Sequence, residues 1–370
     1  MFTLNQNKMS KSITDQILSK YKSKDAIKFS EKDDFKDMKS WAPTGIPELD
    51  FNLGLPGFPT GMIEIAGLSR SGKTTLGLAN MSYFLKDPNA VAFILSSENR
   101  DNKHYAKKLG VKVENVIIIK IRYVEDMFMK VKKIVADTKE VFIENKMGVP
   151  KFYFLWDSLG ATLSKAELDT MEENTKAMEK KMEKGDENMD LKHAQMASFA
   201  KSAKMFAKFI TAEMYNTTIH FVMLNHVHDQ MGGGASGKKS GGGEWVSFFP
   251  CLRLRVTLVG HESIDEVEVG QYTEIKVVKN DFGSRRKTKV EILLGHGFVL
   301  NKNDIDYGIQ KGIIKKEGAL KHAFMNISWK SKRTYYDLYK DQKTVKIMNL
   351  LTDKISKERH KDIMQQRNED

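Results

Sequence analysis

Between Trp41 and about Gly297, short runs of β-branched and aromatic residues alternate with longer stretches whose apolar residues recur at helical spacing. Short apolar runs bounded by polar turns read as buried strands, and strands alternating with helices read as a mainly parallel sheet with crossover helices. The pattern predicts strands at Met62–Ile65, Ala90–Leu95, Val116–Ile119, Phe152–Trp156, Ile219–Leu224, Leu252–Val259, Thr273–Val278 and Val290–Leu294. The last three follow one another on short connections, which predicts an antiparallel or mixed edge grafted on the parallel core.

Three stretches depart from this rhythm. Residues 1–42 are polar and Lys-rich, with Ile13, Ile17, Leu18 and Tyr21 at helical spacing. They read as an N-terminal helical arm, packed either on its own core or on a neighbouring subunit. Residues 165–192 are dense in Lys, Glu and Met with no dominant apolar face, and residues 232–243 are so rich in glycine that no regular element is expected. After Gly297 the chain turns basic and helical around anchors such as Trp329, Tyr335 and Leu338. The expected organisation is an arm over 1–42, an α/β core over 43–297 and a small basic α+β or helical domain over 298–370.

Composition narrows the function. The 370 residues carry 60 Lys and Arg against 48 Asp and Glu, a net charge of +12. That surplus favours an anionic partner such as nucleic acid, a membrane surface or nucleotides. The single Cys251 cannot form an intrachain disulfide, and neither a signal-peptide pattern nor an apolar run of spanning length occurs. The expectation is an intracellular, cytoplasmic protein and not an integral membrane protein.

The sharpest chemical signal is Gly67-Leu68-Ser69-Arg70-Ser71-Gly72-Lys73-Thr74, followed by Thr75, between an apolar strand and a helical pattern. This is a P-loop in its confirming context. Its backbone N–H groups and helix N-terminus hold phosphates, Lys73 neutralises the β and γ phosphates, and Thr74 offers a hydroxyl to Mg²⁺. Asp157, closing the Phe152–Trp156 strand, reads as the second Mg²⁺ organiser, with a helix N-cap as the plainer reading. Glu98, just after the Ala90–Leu95 strand, is a candidate to orient the attacking water, or a surface loop residue. The glycine segment through Lys238 and Lys239 nearly repeats the P-loop but lacks its final Ser/Thr, so a second nucleotide site is rejected. With Trp245 and Phe248 nearby it suits phosphate backbones and base stacking, or it is an inert linker.

At Thr44-Gly45-Ile46-Pro47-Glu48-Leu49-Asp50 and Leu53-Gly54, then at Tyr105-Ala106-Lys107-Lys108-Leu109-Gly110-Val111, Asp157-Ser158, Leu224-Asn225-His226, Val277-Val278-Lys279-Asn280 and Ile292-Leu293-Leu294-Gly295-His296-Gly297, the chain resembles the RecA recombinases, nearest to the phage UvsX type. The resemblance spans about residues 42 to 300. It implies a RecA-type core, ATP with Mg²⁺, a DNA-dependent ATPase and a homo-oligomeric helical filament on single-stranded DNA that exchanges strands with homologous duplex DNA.

It further implies Glu98 as water activator, Tyr105 stacking on adenine, and Asn102 where the family usually has an adenine-contacting Asp. His226, with Asn225, would sense the γ-phosphate in place of the more common Gln. Lys279 would reach the ATP of the adjacent subunit, and Arg285, Arg286 or Lys287 would stand in for a second lysine, since Asp281 occupies that position. Lys201, Lys204, Met231, Gly232, Gly233, Lys238, Lys239, Trp245 and Phe248 would contact DNA. A loading mediator and a single-strand-binding protein are possible partners. A hexameric helicase on the same core, and a weakly hydrolysing mediator or structural filament protein, are the alternative readings.

Overall fold

The computed structural model describes residues 14, 17, 19, 20, 41–98, 102–182, 197–214, 217–229, 238–323 and 325–369. In the N-terminal unit, Thr14, Ile17, Ser19 and Lys20 are helical and exposed. Ile13, Leu18 and Tyr21 of the same apolar pattern lie outside the described residues.

From Trp41 onward the chain forms one compact unit. Strands β1 (Trp41–Ala42) and β2 (Phe58–Pro59) make a small antiparallel pair. The main sheet contains β3 (Gly61–Gly67), β4 (Ala90–Ser96), β5 (Val116–Lys120), β6 (Lys151–Asp157), β7 (Thr218–Asp229), β8 (Lys238–Ser240), β9 (Leu252–Ile264), β10 (Val267–Asn280), β11 (Lys287–Leu293) and β12 (Gly297–Val299). Their order is β12-β11-β10-β9-β3-β7-β6-β4-β5, with β8 on the overrunning end of β7. From β9 through β5 the neighbours are parallel. The pairs β9–β10, β10–β11 and β11–β12 are antiparallel. The fold is thus α/β with a mainly parallel core and antiparallel edge strands, as the apolar pattern implied.

The centre of the sheet is covered on both faces, which is why β6 reads as an unbroken apolar run. Phe152, Tyr153, Phe154, Leu155 and Trp156 are all buried. Phe152 and Phe154 stack with Phe93, while Tyr153 on the opposite face meets Phe84 and His220. Helices Lys73–Phe84, Val124–Glu144 and Ala197–Glu213 supply the flanking layers. Among the described residues no helix is long and apolar enough to cross a membrane.

A second apolar cluster joins Leu293 and Val299 to Ile314, Trp329, Tyr335, Tyr336, Met348, Leu351 and Ile355. It organises helices Lys302–Gln310, Lys332–Asp337 and Gln342–Glu369 and a three-stranded antiparallel sheet, β13 (Lys315–Glu317), β14 (Leu320–His322) and β15 (Ser328–Trp329).

One expectation is amended, and one segment is resolved. Residues 165–182, which lack a dominant apolar face, form a helix, Lys165–Met182. Ser164 and Glu167 cap its start reciprocally: the Ser164 N–H donates to Glu167 Oε2 at 2.6 Å and the Glu167 N–H to Ser164 Oγ at 3.2 Å. Residues 183–192 lie outside the described residues. The glycine-rich segment was expected to hold no regular element, yet its Lys238–Ser240 stretch is a strand. β7 overruns the sheet, and its exposed edge pairs Val227 with Ser240, His228 with Lys239 and Asp229 with Lys238.

Candidate functional site

The carboxyl ends of β3, β4, β6 and β7 meet where an open α/β sheet presents its crevice. At the end of β3 the chain turns through Arg70, at φ 60°, and Gly72, at φ 99°, before the helix beginning at Lys73. Gly72 is the helix N-cap in left-handed backbone that a side chain would strain. The loop's shape is held partly by itself, Ser71 Oγ donating to the Leu68 carbonyl at 2.8 Å. β10 holds it too: Gln271 Nε2 donates to the Arg70 carbonyl at 3.0 Å and Thr273 Oγ1 to the Ser71 carbonyl at 3.2 Å. Lys73 Nζ folds back onto the carbonyls of Gly67, at 3.0 Å, and Leu68, at 2.7 Å. Burial pushes its ammonium below the ordinary lysine range, while Asp157 and Glu98 pull it up. Ser69 lies exposed on the same loop.

Thr74 Oγ1 donates to Asp157 Oδ2 at 3.3 Å, so the hydroxyl and the strand-end carboxylate converge on one spot. Magnesium takes one or two protein oxygens and fills its octahedron with water and phosphate oxygens, and this donor pair fits that habit. A cleft of about 530 Å³ runs along Arg70, Ser71, Gly72, Lys73, Thr74 and Thr75 to Tyr105, Leu294 and Gly295. Tyr105 and Thr74 also border an apolar cavity of about 350 Å³ above Leu78, Ile94 and Ile118. The Tyr105 hydroxyl is hydrogen-bonded to Thr75 Oγ1 at 2.8 Å, and burial pushes its phenol up, keeping it neutral. Asn102 Oδ1 accepts the Tyr105 N–H at 2.9 Å, capping the short helix Lys103–Lys108 that carries the tyrosine.

Ser158, just after β6, and His226, in β7, gather around Glu98, which follows β4. Ser158 Oγ donates to Glu98 Oε1 at 2.6 Å, and His226 Nε2 stands 3.6 Å from the same oxygen. His226 packs on the backbone at Gly160, where a Cβ would come within 3.2 Å of its Cδ2. Beside it, Asn225 Nδ2 donates to Glu64 Oε1 at 2.8 Å and to the Gly241 carbonyl at 2.9 Å. The Gly241 N–H returns to the His226 carbonyl at 3.1 Å. Glu64, buried within β3, also accepts Arg253 Nε at 2.6 Å. Hydrogen bonds therefore tie the far end of the glycine segment to β7 at Asn225 and His226, and His226 in turn lies 3.6 Å from Glu98 beside the P-loop.

The remaining candidates are more scattered. Lys201 and Lys204 are exposed on helix Ala197–Glu213, whose Ala203, Phe206, Ala207 and Ile210 face the core. Met231, Gly232 and Gly233 lie outside the described residues, and of Lys238 and Lys239 only the backbone of β8 is described. Trp245 requires a correction. It is 3% exposed in the main core, and its indole Nε1 donates to the Gly242 carbonyl at 2.7 Å, so its ring faces cannot stack on bases. Phe248, three residues on, is 71% exposed. Lys279 Nζ donates to the carbonyls of Phe248, at 3.1 Å, and Pro250, at 2.8 Å, and lies 3.3 Å from Asp281. Arg285 and Arg286 are exposed on the turn from β10 to β11.

Ser158, Gln271, Thr273 and Glu64 carry much of this arrangement without having been singled out. The sequence held a signal for two kinds of them. Gln271 and Thr273 continue the buried alternation of Ile275 and Val277 with polar side chains, and Glu64 is a charge inside a buried strand; each pattern demands a partner.

A P-loop at the first strand-to-helix turn of an open, mainly parallel sheet, with acidic side chains on the neighbouring strand ends, defines a P-loop nucleotide-binding protein. Comparison with known proteins carries the assignment further. The RecA N-terminal domain family matches residues 8–299. Protein RecA of Nautilia profundicola is 29% identical over 297 residues, covering 79% of this chain and 75% of that protein. Protein RecA of Helicobacter pylori is 29% identical over 284 residues, covering 75% and 72%. Protein RecA of Rickettsia africae is 30% identical over 279 residues, also covering 75% and 72%. The chain belongs to the RecA family.

Proposed function

We propose that this RecA-family chain is an ATP-dependent DNA recombinase that assembles as a helical filament on single-stranded DNA, pairs it with homologous duplex and exchanges strands. It is a DNA-dependent ATPase. The observation that carries the reading beyond nucleotide binding is the Glu98 cluster. One carboxylate lies beside the P-loop, within 3.6 Å of His226, and the residue before His226 is hydrogen-bonded to the glycine segment. A group touching both a nucleotide and a DNA loop is the minimum for coupling the two.

In this mechanism the loop N–H groups and Lys73 hold the triphosphate, with Lys73 leaving the loop carbonyls for the phosphates. Glu98, oriented by Ser158, accepts a proton from water as the water oxygen attacks the γ-phosphorus and ADP departs. Thr74 and Asp157 would hold Mg²⁺, which would supply neutralisation of the phosphate charge. Tyr105 stacks on the base. His226 reports the γ-phosphate to Asn225 and the segment after it, and its loss on hydrolysis loosens the filament. Lys201, Lys204, Phe248 and the glycine segment with Lys238 and Lys239 make sequence-independent contacts to the strand. Across the subunit interface Lys279 completes the site, assisted by Arg285 or Arg286; the Phe248 and Pro250 carbonyls that hold Lys279 make it responsive to that DNA-facing segment.

The His at 226, where the family more often has Gln, supports a branch of the UvsX type and hence a phage gene acting in host cytoplasm. A loading mediator and a single-strand-binding protein are the partners such a filament needs. Fluorescence anisotropy of a labelled single strand at low salt, with and without a non-hydrolysable ATP analogue, tests the central claim, with negative-stain images alongside. Nucleotide-dependent binding in filaments is expected. Rings would favour a helicase, and absence of single-strand binding with ATP analogue present would remove the recombinase reading.

A further inference from the structure

Away from the nucleotide site, a cavity of about 620 Å³ opens between β10 and β11 of the main sheet and the C-terminal strands. Its wall carries six lysines: Lys289, Lys302, Lys316, Lys321, Lys330 and Lys332. The carboxylates on the same wall are Glu291 and Asp306.

The acids do not balance the bases. Lys332 is satisfied, with Glu262 at 2.7 Å and Glu291 at 3.8 Å. Glu291 also accepts the Tyr336 hydroxyl; burial pushes its carboxyl up, and the nearby charges of Lys332 and Lys289 oppose this. Among the described residues, the other five lysines have no carboxylate within ion-pairing distance, Asp306 included. Lys289 and Lys332 both lie over the Tyr272 ring, at 4.6 and 4.7 Å from its centre.

Unpaired like charges spread over a convex surface are a solvated face, and their mutual repulsion is small. Gathered around a concavity they focus a positive potential into it, and an anion in that space relieves the repulsion while gaining several contacts at once. A volume near 620 Å³ lies within the ~300–1,000 Å³ of small-molecule pockets, and lysines act on phosphates as mobile point charges.

We propose that this cavity is a second anion site that receives the phosphate groups of a nucleotide, brought by a free nucleoside polyphosphate or by one unit of a single strand. The site is separate from the P-loop but shares a strand with it. Gln271 braces the P-loop at Arg70, and the next residue, Tyr272, lines the lysine cavity. Alternation along β10 turns the two side chains to opposite faces.

The test uses the full chain in low salt. Equilibrium dialysis with labelled ATP, competed by inorganic tripolyphosphate, counts classes of sites in the wild type and in a Lys302→Glu/Lys330→Glu chain. A Lys343→Glu/Lys357→Glu chain is the control, carrying the same charge change at exposed lysines outside the cavity. If charge reversal prevents folding, Lys302→Gln/Lys330→Gln replaces it.

A weak second class of ATP sites, displaced by tripolyphosphate, lost in the cavity variant and kept in the control, supports a free-nucleotide source. A single class throughout, with single-strand affinity lowered about tenfold or more in the cavity variant alone and a shallower salt slope, supports the strand as source. Equal ATP site counts and equal strand affinities in all three chains overturn the proposal. The P-loop class of sites persists in every outcome, so this failure is distinct from failure of the ATPase reading.

Discussion

His226 Nε2 stands 3.6 Å from Glu98 Oε1, on the oxygen that already accepts the Ser158 hydroxyl at 2.6 Å. The ends of β4, β6 and β7 thus meet at one carboxylate, and each partner's contribution can be separated by substitution.

Replacing Glu98 by Gln keeps the shape of the side chain and removes its basicity. ATP binding should persist, while DNA-stimulated turnover falls by ~10²- to 10⁴-fold, the usual contribution of general base catalysis. Steady-state phosphate release, with nucleotide affinity measured in parallel, checks this. Near-equal rates for the two chains would mean that Glu98 is not the base. Ser158→Ala should lower turnover about tenfold through misplacement of the same carboxylate, with affinity for ATP unchanged.

His226→Ala leaves the P-loop untouched but removes the group between Glu98 and the glycine segment. Single-strand affinity should lose most of its dependence on bound nucleotide, a coupling expected to be ~5- to 150-fold in the wild type. His226→Gln, which can still donate and accept, should retain the greater part of it. Strand-binding titrations with ADP and with a non-hydrolysable ATP analogue give the ratio directly. An alanine chain with the full ratio would exclude His226 from the coupling.

Trp245 and Phe248 sit on one short helix and should respond oppositely. Trp245→Ala empties a buried site and breaks the bond to the Gly242 carbonyl, so thermal unfolding should show a loss of ~3–5 kcal/mol. Phe248→Ala, at an exposed position, should leave stability unchanged and weaken single-strand binding by ~1–3 kcal/mol. A Phe248 variant with unaltered strand affinity would mark it as an exposed side chain without a role.

The pair also shows where sequence reading succeeds and stops. Strands β3, β4, β6 and β7 are legible because both faces are buried, which leaves contiguous apolar runs between turn signals. The P-loop is legible because its chemistry is local to eight residues. Trp245 is misread because an aromatic beside glycines carries no local sign of which way it faces. Only its burial in the main apolar cluster decides that. Gln271 escaped for a related reason: it lies 201 positions from the Arg70 carbonyl it braces, and the antiparallel register of β9 and β10 brings them together.

The C-terminal helix carries the last prediction. Arg359 Nη2 lies 3.3 Å from Asp304 Oδ1, both almost fully buried, without the alignment of a hydrogen bond, and the guanidinium rests over the rings of Phe51 and Tyr307. Burial pushes the Asp304 carboxyl up to about 7, the arginine opposing but not cancelling it. Between about pH 4 and pH 7 the folded chain therefore holds a proton that the unfolded chain releases. With fewer protons bound in the unfolded state, stability falls as pH rises through that window, by up to ~1.4 kcal/mol per pH unit, and levels off above it. Asp304→Asn keeps the size of the group and removes its titration. Denaturant titrations from pH 5 to pH 8 should show a shallower decline in the asparagine chain than in the wild type. Parallel curves would mean that Asp304 stays ionised in the fold, held by Arg359 more strongly than burial opposes it.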